Sequence, residues 1–256
     1  MTEPLDIKGV KIGSGRPKTI ISIMDPETEG CLETIKKGIE AGVNCFEWRG
    51  DFAKNVHDPK KMAEQSIELG KALPNNPYLF TFRSTSQGGQ LTIPVDEYVA
   101  LNKAIIEAGA IDLVDIETWI GDEAVLELVE CAQAHGVKTV ISYHNFAGTP
   151  STEWMVNLLT HMVDLGADIP KIATMAHTGK DALALLAATN EVATIHTTKP
   201  LLTMAMGKEG SITRLSGELF GSSITFCSLA KASAPGQVDV KQATQIMDEL
   251  HQVYGA

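Results

Sequence analysis

The sequence predicts an α/β protein folded as a single (β/α)8 TIM barrel with a β-hairpin closing its bottom. Three observations lead there. Short apolar, β-branched runs alternate eight times with longer amphipathic segments. The 256 residues suit one barrel, which typically takes roughly 250. No break in composition marks a boundary, so residues 1–256 are expected to form one domain.

The expected strands are 19–24, 43–49, 78–83, 111–117, 138–144, 170–176, 201–206 and 223–229. Each is short and bounded by Gly, Pro, Asn or Asp, as buried parallel strands are. The intervening segments carry apolar residues at helical spacing, for example Leu32, Ile35 and Ile39, or Met155, Leu158, Leu159 and Met162. Gly42, Gly109, Gly136 and Gly166 stand where helices should end. Two β-like pieces before the first strand, LDIKGV and VKIGSG, predict the hairpin. An open doubly wound sheet is the competing arrangement, but no Gly-rich phosphate turn follows the first strand.

The formal net charge of −11 argues against nucleic acid and anionic membrane as partners. Cys31, Cys45, Cys131 and Cys227 form no CxxC pair and no zinc-like spacing with histidine. They read as small buried thiols of a reducing, cytoplasmic protein. The N-terminus has no apolar signal region, and no apolar run is long enough to span a membrane. GSGRPKT lacks the second glycine of a phosphate loop and HTGKD is too short for one, while GKEGS after the seventh strand, whose backbone amides could hold an anion, reads as a helix entry.

In a barrel, chemistry sits at the C-terminal ends of the strands. Those ends carry Glu47 and Arg49, Arg83, Asp115 and Glu117, Ser142 and His144, then Met204 and Met206 followed by Arg214. Lys171 lies on the sixth strand, and Lys231, Ser233 and Gln237 follow the eighth. Burying a charge costs several kcal/mol unless it is paired. Charges on so many strands converging on one mouth therefore point to a site. A nucleophilic lysine needs a depressed pKa, and burial with Arg49, Arg83 and Arg214 nearby would provide it. His144 is the one histidine of seven at a strand's C-terminal end, placed to move protons. Asp115 or Glu117 on the adjacent strand is expected to orient it. The residues alone thus predict an amine that attacks a ketone, with an imidazole beside it.

FEWRGD (46–51), FTFRS (80–84), SYHNF (142–146), KIATMA (171–176), the run 206–226 and KASAPGQ (231–237) together resemble the type I 3-dehydroquinate dehydratases. The resemblance extends over nearly the whole chain. It implies dehydration of 3-dehydroquinate to 3-dehydroshikimate in the shikimate pathway, by a barrel that is usually a homodimer and uses no cofactor. It implies that Lys171 forms the Schiff base and His144 is the general acid/base. Arg214, Gln237 and Ser233 are then expected at the substrate carboxylate. Glu47, Arg49 and Arg83 belong with the ring hydroxyls, and Ser22, Met204 and Phe226 line the pocket. One position departs from the pattern. The residue before Gly-Gly is often acidic in that family, and here it is Gln87. Two other readings stay open on the residues themselves, a class I aldolase-like lyase using the same lysine and a non-catalytic binding domain on the same fold.

Overall fold

A computed structural model describes residues 2–229 and 233–254; Lys231, one of the expected mouth residues, lies outside them. Parallel strands β3 (Lys18–Ile23), β4 (Cys45–Arg49), β5 (Tyr78–Thr81), β6 (Leu113–Glu117), β7 (Lys138–Asn145), β8 (Ile169–Met175), β9 (Leu202–Met206) and β10 (Ile224–Phe226) make one sheet. They are ordered β10-β3-β4-β5-β6-β7-β8-β9. The expected strands are all there, with ends shifted by a few residues.

The sheet curls so that β9 and β10 meet. They share no full ladder. Leu201 and Ser222 form a single parallel bridge, and Ser223 N–H donates to Leu201 O at 2.7 Å. The Ser222 hydroxyl then stands in for backbone, accepting from Thr203 N (3.0 Å) and donating to Thr203 O (3.1 Å). A side chain thereby satisfies buried strand groups that the short β10 leaves open.

Helices α1 (Thr28–Glu40), α2 (Pro59–Lys71), α3 (Val95–Glu107), α4 (Asp122–Ala134), α5 (Thr152–Asp164), α6 (Gly179–Glu191), the short α7 (Ser211–Leu215) and α8 (Gly217–Phe220), and α9 (Val240–Tyr254) follow the strands in turn. Local chemistry starts and stops them. Asp58 accepts from Lys61 N ahead of α2, with Pro59 at its first position. Ser151 caps α5 through Trp154 N. Gly42, Gly109, Gly136 and Gly166 all have positive φ, the left-handed turn that ends a helix without a Cβ penalty.

The core has two layers. One lies between the strands and the helices, where Phe46, Trp48, Phe80 and Leu128 are fully buried. The other fills the barrel itself. There the inward residues Ile20, Cys45, Leu79, Leu113, Val140, Ile169, Leu202 and Ile224 pack with Ile7 and Ile12. Those two isoleucines come from the antiparallel hairpin of β1 (Leu5–Ile7) and β2 (Val10–Ile12). The hairpin therefore forms the floor of the barrel. Among the described residues no helix is long and apolar enough to cross a membrane.

Candidate active site

Above that floor the inward positions turn polar. Period-two alternation puts Asp115 and Glu117 on the barrel face of β6, Ser142 and His144 on that of β7, and Lys171 and Ala173 on that of β8. Ser142 pairs in register with Lys171, and His144 with Ala173. Lys171 thus sits one step deeper than His144, in mid-strand, and is only 2% exposed.

A network of buried charges holds the lysine. Its Nζ donates to Asp115 Oδ2 at 2.8 Å, lies 3.9 Å from Glu47 Oε1 and stands 4.9 Å from the centre of the Phe226 ring. Arg83 forks beneath it, with Nη2 on Asp115 Oδ2 (2.9 Å) and Nη1 on Glu117 Oε1 (2.6 Å) and Ser142 Oγ (3.0 Å). Ser142 in turn donates to Asp115 Oδ1 at 2.6 Å. Glu117 also accepts from Ser84 N and from Trp119 Nε1. Tyr98 fixes the β6 backbone from behind, donating to Asp115 O and accepting from Glu117 N. Glu47 accepts from Ser22 Oγ (2.5 Å) and Thr81 Oγ1 (2.9 Å).

The electrostatic balance follows from this packing. Burial pushes the Lys171 pKa below its ordinary value, and Arg83 adds to that, while Asp115 and Glu47 oppose it. Burial also disfavours charge on Asp115, yet Arg83 and Lys171 outweigh it and hold that carboxyl at about 2. The cation acting on the lysine is Arg83. Arg49 and Arg214, expected to share that role, are not among the main influences on it. Asp51 takes the Arg49 guanidinium in a two-point grip, 2.7 Å on each side. Arg214 lies on α7, outside the ring of inward strand residues, and its Nη2 donates to Pro235 O at 3.2 Å.

The expectation that Asp115 or Glu117 orients His144 is corrected. Both carboxylates are taken by Arg83, and the histidine meets Gln87 instead. The Gln87 Oε1 accepts from His144 N at 2.7 Å and lies 3.0 Å from His144 Nδ1. A backbone N–H can only donate, so the oxygen of the amide is fixed there. Nδ1 must then carry the ring proton, and Nε2 is left as the basic nitrogen. Burial first, then the charges of Arg83, Lys171 and Arg49, pulls the His144 pKa well below its ordinary value. The neutral form of the imidazole is therefore favoured.

These groups border a cavity that opens to solvent, with about 450 Å3 of empty space including its mouth. Glu47, Arg49, Arg83, Gln87, His144, Lys171, Met204, Phe226, Ser233 and Gln237 line it, as do Gly88, Phe146, Ala173, Met206 and Ala234. Ser22 lies behind the wall, bonded to Glu47 and to Ser233. Of the lining residues not anticipated, Ala173 shares the face of Lys171, and the period-two rule could have found it. Phe146 and Gly88 needed the structure, because a Cβ on Gly88 would sit 2.3 Å from the Phe146 ring.

The segment 233–237 covers the mouth. Ser233 and Gln237 bond each other twice, at 2.8 Å. Pro235 O accepts from Gly207 N (3.2 Å) as well as from Arg214. Arg214 is 2% exposed, and among the described residues its Nε and Nη1 have no hydrogen-bond partner. Burial lowers its pKa to about 10. Arg214 is not among the residues that line the cavity, but a buried guanidinium with two open donors is chemically suited to an anion. Among the described residues, no cluster of three His, Cys, Asp or Glu side chains is placed to hold a metal.

The chain is similar to known proteins over nearly its whole length. The chain is 41% identical to a 3-dehydroquinate dehydratase of Clostridioides difficile over 251 residues, 98% of each chain. A crystal structure of a type I 3-dehydroquinate dehydratase from Clostridium difficile, with covalently modified comenic acid, superposes with a TM-score of 0.95. It is 41% identical, over 99% of this chain and 100% of that one. The 3-dehydroquinate dehydratase of Geobacillus kaustophilus superposes with a TM-score of 0.94 at 33% identity, over 99% of this chain and 98% of that one. The family model described as type I 3-dehydroquinase matches residues 19–254, and the chain belongs to that family.

Proposed function

We propose that this enzyme dehydrates 3-dehydroquinate to 3-dehydroshikimate in the shikimate pathway, through an imine on Lys171 with His144 as general acid and base. One observation carries the reading. An amine whose charge is disfavoured shares a cavity with an imidazole whose basic Nε2 is fixed by its partner. The structure of the Clostridium difficile relative with covalently modified comenic acid supports covalent chemistry in a protein of this family.

The steps balance as follows. Neutral Lys171 Nζ adds to the C3 carbonyl carbon; the carbinolamine hydroxyl takes a proton from solvent, relayed through His144, and leaves as water to give an iminium. The iminium draws electrons from the adjacent C2–H bond. His144 Nε2 takes that proton, leaving an enamine. The enamine electrons return to expel the C1 hydroxyl, which leaves as water with the proton held by His144. Hydrolysis of the conjugated iminium releases the enone and restores the amine. Positioned proton transfer contributes roughly 10²–10⁴-fold, and the imine divides one difficult elimination into easier steps. Asp115 and Glu47 hold the lysine in place. Arg214 offers its open donors to the substrate carboxylate, with Ser233 and Gln237 closing over it. Glu47, Arg49 and Arg83 face the ring hydroxyls.

Borohydride added during turnover should reduce the iminium and leave a stable adduct on Lys171, located by peptide mass spectrometry. An adduct at another residue, or none, rules the mechanism out. The same reading makes the enzyme a cytoplasmic homodimer that needs no cofactor. Light scattering checks the dimer, and turnover after exhaustive dialysis against chelator checks the last point.

A further inference from the structure

Asp51 lies in the short turn Gly50–Phe52 immediately after β4 and is 2% exposed. It does not line the cavity. Its two oxygens nevertheless receive four donors from three separate pieces of chain. Oδ1 accepts from Arg49 Nε at 2.7 Å and from Arg83 N at 3.4 Å. Oδ2 accepts from Arg49 Nη2 at 2.7 Å and from Gln90 N at 3.1 Å. A carboxylate has about four acceptor positions, so this one is full.

The Gln90 bond matters most. Residues 84–91 form a loop that doubles back on itself, with Gly89 N on Ser84 O (2.8 Å) and Thr85 N on Leu91 O (3.0 Å). A Cβ at Gly89 would lie 1.7 Å from Arg83 O, so the return limb presses directly on the end of β5. Gln87 stands at the tip of this loop and sends Oε1 into His144. The return limb is tied down, three residues later, by Asp51. The same carboxylate also aims Arg49, which does line the cavity.

We infer that Asp51 is a positioning residue that sets the Gln87 contact with His144 and the aim of Arg49 through one buried carboxylate. The inference rests on the reading of His144 and Lys171 given above. Asparagine cannot replace it. One face of the amide would present N–H to a pair of donors, either Arg49 Nη2 and Gln90 N or Arg49 Nε and Arg83 N. The loop would come loose, the amide of Gln87 would leave the ring, and both tautomers of His144 would become populated.

The test compares wild type, Asp51→Asn, Gln87→Ala and the double variant by kcat, by KM for 3-dehydroquinate and by the ring ¹⁵N signals of His144. Asp51→Asn should lower kcat about tenfold or more and raise KM, and should turn the His144 signals from a single Nδ1–H form into a tautomer average. In the Gln87→Ala background the same change should lower kcat by no more than about threefold, because the path through Gln87 is already cut. Fully multiplicative effects on kcat, or His144 signals identical to wild type, overturn the inference. If Asp51→Asn does not fold, Gln90→Pro at an exposed position removes a single N–H, and unaltered His144 signals there overturn it equally. Borohydride trapping separates the two levels. Wild type without a Lys171 adduct defeats the imine reading, whereas a trapped Asp51→Asn variant with normal kcat and normal His144 signals defeats only the role of Asp51.

Discussion

The two sides of the barrel mouth are built on opposite terms. On the β4–β8 side the buried charges have partners: Arg83 with Asp115 and Glu117, Lys171 with Asp115, Arg49 with Asp51. On the β9–β10 side the barrel closes through one backbone bridge and a serine hydroxyl. Beside it Arg214 is buried with two donors open, beneath a covering segment. The first side is finished before any ligand arrives. On the proposed function, the second is finished by the ligand. Groups that act on developing charge gain from being fixed in advance, whereas a site that captures an anion gains from donors the protein itself has not satisfied. Stability and affinity should therefore separate between the two sides.

Replacing Lys171 with Ala should have the largest effect, taking turnover to background and abolishing the borohydride adduct. Restored turnover without an adduct would show that the well-paired side is not where the chemistry occurs. Arg83→Ala should come next. It strands two buried carboxylates, which destabilises by about 3–5 kcal/mol, seen as a loss of urea midpoint at unchanged slope. Arg214→Ala should do the reverse. It should weaken substrate binding by about 2–5 kcal/mol while leaving the unfolding midpoint of the free protein unchanged or raised, because it removes a buried cation without an ionic partner. A large loss of stability there would erase the contrast. Gln87→Glu should have the smallest effect. A carboxylate against the ring favours imidazolium and raises the His144 pKa by about one unit or more. The base works only when neutral, so the acid limb of kcat/KM should move from well below the ordinary histidine range toward higher pH, and activity on that limb should fall. An unmoved limb would remove His144 from the role of base.

The same contrast explains what the sequence could show. Barrel strands announce themselves by composition, and the list of strand ends gathered Glu47, Asp115 and His144 at one mouth with the strand residue Lys171 without coordinates. Alternation says which way a side chain points, but not what it meets. Asp115, Glu117 and Gln87 were all within plausible reach of His144. The outcome turned on Arg83, whose planar fork spans two carboxylates at once, leaving the histidine to an amide 57 residues away. Arg214 misled for a related reason. It follows β9 on a short helix, and helix periodicity over five residues does not reveal that its guanidinium points toward the covering segment. Asp51 lay in plain view within FEWRGD, yet its worth depends on backbone N–H groups, which no side-chain pattern reports.

The floor of the barrel has a consequence for the order of events above it. Ile7 and Ile12 seal the lower end with a ring of apolar side chains, so the chamber is blind and every molecule enters and leaves by one door. On the proposed mechanism, dehydration makes two products from one substrate, and imine exchange releases and takes up water on the way. With no drain beneath Lys171, each of these must pass the mouth, whose lining includes Gly88 and Phe146 as well as Ser233, Ala234 and Gln237. The opening that admits the substrate is then also the one through which hydrolytic water must come and the product must leave.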